Sequence, residues 1–183
     1  MTTEIAKIKK SKTILLVEDD SQDLELTLTA LDDQSLTGRV VVVRDGAQAL
    51  DFLYCRGEFS ARVRGNPALV LLDNKMPKIT GLEVLKTIRA DEHLKFTPVV
   101  VLSSSREVSD VAACYQHGVN SYVVKPLYFE EFKKAIRELC IFWATVNEPP
   151  PMARAENSVV QSRSAFVFQP EEIEHEVPAH PAN

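Results

Sequence analysis

The chain has 183 residues, of which 45% are hydrophobic and 26% charged, and its formal net charge at pH 7 is −5. This composition is typical of a globular protein with one main domain and a substantial core, and it argues against a disordered chain. The negative charge disfavours nucleic acid as a direct partner, and the sequence has no apolar stretch of the roughly 18 residues that a membrane-spanning helix needs.

Three cysteines, Cys55, Cys114 and Cys140, are widely spaced and include no Cys-x-x-Cys pair. This pattern predicts reduced thiols rather than a disulfide framework or a zinc site. The basic first residues lack the apolar stretch of a secretion signal, so we expect a cytoplasmic protein with no membrane partner.

Short apolar runs alternate along the chain with segments in which apolar residues recur at helical spacing. The runs predict strands, which lie at residues 13–17, 39–44, 68–73, 98–102 and 121–124. The segments between and after them predict helices, the first beginning after Asp20 and the others lying over 47–54, 81–90, 108–117 and 129–146. Asp20 or Ser21 is the expected N-cap of the first helix, and Gly118 is expected to end the fourth.

Five strand–helix pairs in alternation predict an α/β fold with a parallel sheet covered by helices on both faces. Right-handed crossovers favour the flavodoxin-like strand order 2-1-3-4-5. We expect the domain to span residues 13–146, between a flexible basic N-terminus at 1–12 and a proline- and acid-rich C-terminal extension at 147–183. The extension is either an idle tail or a docking arm that uses the apolar residues 165–168, and the long surface loop at 56–67 is either functional or tolerated.

In this strand order the carboxyl ends of the first, third, fourth and fifth strands lie along one edge of the sheet. The polar residues at these ends are Glu18, Asp19, Asp20, Asp73, Ser103 and Lys125. Clustered carboxylates repel one another unless a cation lies among them, and such oxygen ligands suit Mg²⁺. A carboxylate beside an ammonium and a hydroxyl is also suited to accept a phosphoryl group.

Each of these residues has an ordinary structural explanation as well. Asp73 fits a turn residue, Ser103 a turn hydroxyl, the acidic triplet the start of a helix, and Lys125 a solvated charge. Their combination at four strand ends is what favours the phosphoryl chemistry.

Four motifs lie at these strand ends, namely Ile14-Leu15-Leu16-Val17-Glu18-Asp19-Asp20, Asp73-Asn74-Lys75-Met76-Pro77 with Gly81, Val99-Val100-Val101-Leu102-Ser103, and Tyr122-Val123-Val124-Lys125-Pro126. Together, and with the interval between Ser103 and Lys125, they make residues 13–146 resemble the receiver domain of two-component response regulators.

The resemblance implies that Asp73 accepts a phosphoryl group from the phosphohistidine of a sensor histidine kinase. Ser103 and Lys125 would hold the phosphoryl oxygens, and the bond between Lys125 and Pro126 would be cis. The groups implied to hold Mg²⁺ are Asp19, Asp73, the backbone carbonyl of Lys75 and, through water, Glu18. The protein would not be an enzyme with a separate substrate, but would assist its own phosphorylation and dephosphorylation.

The resemblance also implies a conformational switch. Movement of Ser103 toward the phosphoryl group would let Tyr122 turn inward and change the face formed by the fourth helix, fifth strand and fifth helix. The alternative for Tyr122 is a plain half-buried aromatic.

Within the family, the chain is most similar to the small response regulators that pair with phytochrome-type kinases. The similarity lies in the long loop before the third strand, the segment 118–122 and the phenylalanine-rich last helix. Such proteins often pair through the switching face, so we expect a homodimer. Phe142 and Trp143 are then either anchors of the dimer or residues that complete the core.

Three other functions compete with this interpretation. A Mg²⁺-dependent phosphohydrolase needs a second acid two residues after its nucleophile, where this chain has Lys75. A DNA-binding regulator is disfavoured because no helix-turn-helix pattern follows the receiver-like region. The main alternative is a degenerate receiver that binds partners without being phosphorylated.

Overall fold

The structure is a computed structural model and describes residues 13–32 and 40–148. Its strands are β1 (Ile14–Val17), β2 (Val40–Val43), β3 (Leu69–Asp73), β4 (Val99–Ser103) and β5 (Ser121–Val124). Its helices are α1 (Ser21–Asp32), α2 (Gly46–Tyr54), α3 (Gly81–Ala90), α4 (Val108–Gln116) and α5 (Phe129–Ile141), and a π-helical turn over Phe142–Val146 extends α5. The predicted N-terminal tail and the apolar residues 165–168 lie outside the described residues.

The strands form one parallel sheet in the order β2-β1-β3-β4-β5, which confirms the predicted flavodoxin-like topology. β1 pairs in register with β2 on one side and β3 on the other, so that Ile14 lies between Val40 and Leu69. The central strands β1, β3 and β4 are buried along their whole length, because helices cover both faces of the sheet.

Alternation along the strands divides the core into two layers. Leu15 and Val17 of β1 pack with α2, α3 and α4, whereas Ile14 and Leu16 pack with α1 and α5. Each fully buried leucine or isoleucine contributes about 1.5–3 kcal/mol to the stability of the fold. The same alternation, continued past the strand ends, decides toward which helix layer each polar residue points.

Two predicted helix ends are confirmed by hydrogen bonds and backbone angles. The Asp20 carboxylate accepts from the backbone N–H groups of Gln22 and Asp23, so Asp20 rather than Ser21 caps α1. Gly118, with φ of +79°, follows α4 in the left-handed conformation that glycine adopts without strain.

Gly81 brings the start of α3 directly against the end of β3. Its N–H donates to the carbonyl oxygen of Asn74, and a Cβ atom at this position would overlap the carbonyl oxygen of Asp73 and lie 2.8 Å from Cα of Asn74. Only glycine therefore permits this approach, which holds the backbone around Asp73 between the sheet and α3.

Arg62 ties the long loop at 56–67 to α2. Its guanidinium lies 4.1 Å from the centre of the Phe52 ring, and its Nε donates to the carbonyl oxygen of Phe52. Nη1 also donates to the carbonyl oxygen of Gly65, 2.9 Å away. These contacts give the loop a defined packing, whereas a functional role for it stays a prediction.

No helix within residues 13–32 and 40–148 is long and apolar enough to cross a membrane.

Candidate functional site

Glu18, Asp73 and Lys125 follow or end strands β1, β3 and β5, and they meet on the side of the sheet that α1 and α5 cover. Lys125 Nζ lies 2.9 Å from Asp73 Oδ1 and 2.9 Å from Glu18 Oε2. β4 lies between β3 and β5, so the lysine side chain reaches past the end of β4 to contact both carboxylates. The predicted convergence of these three residues is thus present.

Asp23, in the first turn of α1, supplies a third carboxylate to Lys125 and was not predicted from the sequence. Its Oδ2 lies 2.6 Å from Nζ, the shortest of the three contacts. The sequence signal for it is weak, because an acidic residue in the first turn of a helix has a sufficient explanation in the helix dipole.

Burial and the neighbouring carboxylates shift the pKa of Lys125 in opposite directions. Burial alone lowers the pKa of the ammonium, but hydrogen bonds to Asp23, Glu18 and Asp73 outweigh it and hold the pKa above its ordinary value. For Glu18 burial prevails: it raises the pKa of this carboxyl from 4.5 to about 7, although Lys125 opposes the shift. A second cation near Glu18 would therefore stabilise its charged form.

The carboxylates of Glu18, Asp19 and Asp73 form a cluster in which one oxygen from each lies within 4.8 Å of the others. Glu18 and Asp73 are buried, and Asp19 is exposed to solvent. Glu18, Asp23 and Asp73 contact the ammonium of Lys125, and Asp19 adds a fourth carboxylate beside them, which leaves an excess of negative charge. This all-oxygen donor set fits a hard divalent cation.

Asp20 does not belong to this cluster. It is exposed, and its carboxylate is engaged in capping α1, which also holds its pKa below the ordinary value through backbone hydrogen bonds. Of the predicted acidic triplet, Glu18 and Asp19 thus face the site and Asp20 shapes the helix behind it.

Both oxygens of Asp73 have partners. Oδ1 faces Lys125, and Oδ2 accepts from the backbone N–H of Lys75 at 2.6 Å. These contacts orient the carboxylate, while the side chain of Lys75 is exposed.

The prediction of a cis bond between Lys125 and Pro126 is wrong, since the described residues contain no cis peptide bond. The backbone N–H of Lys125 donates to the carbonyl oxygen of Ser103 at 2.8 Å, which continues the pairing of β5 with β4. The trans isomer is also the one that an X–Pro bond favours, by about 0.5–1 kcal/mol.

Ser103 and Tyr122 are connected through Ser105, a residue that the sequence did not single out. The Ser103 hydroxyl accepts from the backbone N–H of Ser105, and the Tyr122 hydroxyl donates to the carbonyl oxygen of Ser105 at 3.1 Å. The Ser105 hydroxyl in turn donates to Asp110 on α4. Tyr122 is half-buried, and its burial raises the pKa of the phenol.

The loop after Asp73 is also tied to the turn before α2. Lys78 Nζ contacts Asp45 Oδ2 at 2.6 Å, and this contact is the main reason that the pKa of Asp45 is lowered. Asp45 is buried and caps α2 by accepting from the N–H of Gln48. The two loops beside the site therefore hold each other in place.

Comparison with known proteins gives one consistent result for this fold and site. The protein-family model of the response regulator receiver domain matches residues 14–137 of this chain. The response regulator Rcp1 of Synechocystis sp. is 38% identical over 132 residues, covering 72% of this chain and 88% of Rcp1. A crystal structure of the Mn²⁺-bound form of Rcp1 has a TM-score of 0.69 and 37% identity, and the match covers 76% of this chain and 99% of that one.

Two further solved structures are similar over most of the chain. The phosphorylated cyanobacterial phytochrome response regulator RcpA has a TM-score of 0.71 and 37% identity, and the match covers 76% of this chain and 99% of that one. The bacteriophytochrome response regulator RtBRR is 58% identical with a TM-score of 0.63, and the match covers 79% of this chain and 87% of that one.

Proposed function

The chain belongs to the response regulator receiver family, and from this premise we propose that it is a phosphoacceptor switch whose acceptor is Asp73. The observation that supports this most directly is the contact of Lys125 with Asp73 beside an acidic cluster. A receiver that only binds partners has no need for a buried lysine among three carboxylates, which is costly to maintain.

In the proposed reaction an Asp73 carboxylate oxygen attacks the phosphorus of a phosphohistidine. The new O–P bond forms as the P–N bond breaks, and the imidazole leaves with the electron pair of that bond. The N–H of Lys75 holds the carboxylate in a fixed orientation, and Lys125 offsets negative charge on the acceptor side. The protein is a stoichiometric phosphoacceptor that assists its own phosphorylation and dephosphorylation, not an enzyme with a separate substrate.

Mg²⁺ is the cation that we propose for the acidic cluster. Glu18, Asp19 and Asp73 would hold it, with the backbone carbonyl of Lys75 as the further ligand that the family pattern implies. When bound, the ion would neutralise charge on the phosphoryl oxygens. The Mn²⁺-bound form of Rcp1 supports a divalent cation in this class of site.

The switching residues are Ser103 and Tyr122, and Ser105 connects them. A shift of the Ser103 hydroxyl toward a phosphorylated Asp73 would break its hydrogen bond with the N–H of Ser105. Because Tyr122 is bonded to the carbonyl oxygen of Ser105, that shift would change the β4–α4 loop and the side of α4 that borders β5. Output in this proposal is a change in protein–protein contacts.

We propose a phytochrome-type sensor histidine kinase as the phosphoryl donor, because RcpA and RtBRR are regulators of phytochrome-type systems. Phosphotransfer should be measured from each sensor histidine kinase of the same organism, with Asp73→Asn as the control for acceptor identity. The phytochrome-type kinase is expected to be preferred by about tenfold or more in kcat/KM. A clear preference for a kinase of another class would contradict this assignment.

We also propose that the protein forms a homodimer through the face of α4, β5 and α5. Of the two expected anchors, Phe142 is exposed, whereas Trp143 packs partly into the layer under α5. On α4, Val108 and Tyr115 are exposed and lie two helical turns apart. Exposed apolar and aromatic side chains of this kind suit a protein–protein interface.

Sedimentation equilibrium of Tyr115→Asp and Phe96→Asp tests the dimer with matched substitutions. Each aromatic is 53% exposed, but Phe96 lies in the loop between α3 and β4 and thus outside the three elements that form the proposed face. Tyr115→Asp is expected to raise the dimer dissociation constant about tenfold or more, whereas Phe96→Asp leaves it unchanged. Equal effects of both variants, or a monomeric wild type, would contradict the proposed interface.

A further inference from the structure

The ammonium of Lys125 has as many carboxylate contacts as it has N–H donors. An ammonium has three N–H donors. In this structure Nζ contacts three carboxylate oxygens, at 2.6 Å to Asp23 and at 2.9 Å each to Glu18 and Asp73. For Lys125 to hold a phosphoryl oxygen and also keep its contact with the carboxyl group of Asp73, it has to release Glu18 or Asp23.

We propose that Asp23 is a positioning residue and that it is the partner that Lys125 releases when the acceptor gains a phosphoryl group. This inference rests on the proposed role of Asp73 and adds a residue outside the motifs of the family pattern. Asp23 holds the ammonium over the site while the acceptor is free, and competes with the phosphoryl group for it.

Exposure determines which carboxylate is released. The Glu18 side chain is 2% exposed and the Asp23 side chain 37%. A buried carboxylate that loses its cation is not rehydrated, and that loss is costly, whereas water can solvate a released Asp23 at once. Of these two carboxylates, Asp23 is therefore the less costly one for Lys125 to release.

The contact between Asp23 and Lys125 is not needed to begin α1. The helix is capped by Asp20, whose carboxylate accepts from the backbone N–H groups of Gln22 and Asp23. The backbone carbonyl of Asp23 accepts from the Thr27 hydroxyl. An asparagine at position 23 keeps these backbone contacts and the side-chain size while removing the negative charge.

Beryllofluoride, which mimics a phosphoryl group bonded to a carboxylate, is the probe for this competition. Its dissociation constant should be measured by ¹⁹F NMR at a Mg²⁺ concentration that titration shows to saturate each variant. Asp23→Asn is expected to bind beryllofluoride at least about threefold more tightly than wild type, since a partly exposed charge pair is removed as a competitor. Asp23→Glu, which retains the charge, is expected to remain near the wild-type value.

Glu25→Gln is the matched control, because Glu25 is exposed on the same helix and its substitution changes the net charge by the same amount. The thermal unfolding midpoint of each variant distinguishes the proposed role of Asp23 from a purely structural one. A purely structural role would shift the midpoint and leave the dissociation constant for beryllofluoride unchanged. If wild type binds the probe and Asp23→Asn binds it no more tightly than Glu25→Gln, this inference is overturned and the function of Asp73 stands. If wild type does not bind the probe at all, both the inference and the proposed function are overturned.

Discussion

The variant Asp73→Asn is expected to take up no phosphoryl group from acetyl phosphate or from a kinase, while wild type is labelled. The amide is a poor nucleophile toward phosphorus and cannot form the acyl phosphate, although it fills the same volume. The substitution removes one negative charge from a site with an excess of them, so we expect the free energy of unfolding to be unchanged or higher. Labelling is measured by phosphate-affinity electrophoresis, and unfolding by urea titration followed by circular dichroism.

Glu131→Gln on α5 serves as the control for this experiment, because Glu131 is exposed and lies outside the site. It should be labelled at the wild-type rate. Equal labelling of Asp73→Asn and wild type would place the acceptor elsewhere. Absence of labelling in a folded wild type would favour the degenerate receiver, which binds partners without phosphorylation.

Removal of Mg²⁺ is the second change with a large expected effect. With a chelator in excess, labelling by acetyl phosphate should fall to background, because an anionic donor would have to approach buried carboxylates that only Lys125 offsets. Asp19→Asn should raise the Mg²⁺ dissociation constant by about tenfold or more, a change that corresponds to about 1.4 kcal/mol. Isothermal titration calorimetry measures that constant directly.

The chain offers a close control for Asp19 in the adjacent residue. Asp20→Asn removes the same charge one position along, yet asparagine caps a helix as well as aspartate does, so α1 should be unaffected. Its Mg²⁺ dissociation constant should remain within about twofold of wild type. Equal weakening by both substitutions would mean that the ion responds to overall charge rather than to ligation by Asp19.

Most of the fold could be predicted from the sequence because the signals for it are local. The run from Ser121 to Val124 and the helix from Gly81 to Ala90 have the predicted bounds, since turn residues or polar residues flank each of them. The strand order followed from the alternation of elements and the handedness of crossovers. The strand order in turn predicted that Glu18, Asp73 and Lys125 lie close together.

The residues that were missed depend on contacts that form only in the folded chain. Asp23 and Lys125 are 102 positions apart, and Asp23 lies in a helix, where no strand-end argument reaches it. Ser105 lies in a loop, and its role comes from hydrogen bonds to Ser103, Tyr122 and Asp110 that only the folded loop creates. The cis bond was carried over from the family pattern, and local chemistry alone favours the trans bond that the structure contains.

The charged residues of the site do not favour the stability of the fold. Burial raises the pKa of Glu18 to about 7, which means that the folded protein keeps this carboxylate charged at neutral pH only at a cost in free energy. A core built for stability would place apolar side chains at the ends of these strands. Residues that break a packing rule in this way are typical of functional sites.

Reductive trapping of the acyl phosphate tests the central claim most directly. Wild-type protein is labelled with acetyl phosphate in the presence of Mg²⁺, treated with borohydride and digested, and the peptides are identified by mass spectrometry. An aspartyl phosphate at position 73 would be reduced to homoserine, so the peptide that contains Ala68–Lys75 should carry homoserine in place of Asp73. Homoserine at another aspartate, or its absence from all peptides of a protein that carries the label, would contradict the assignment of Asp73 as the phosphoacceptor.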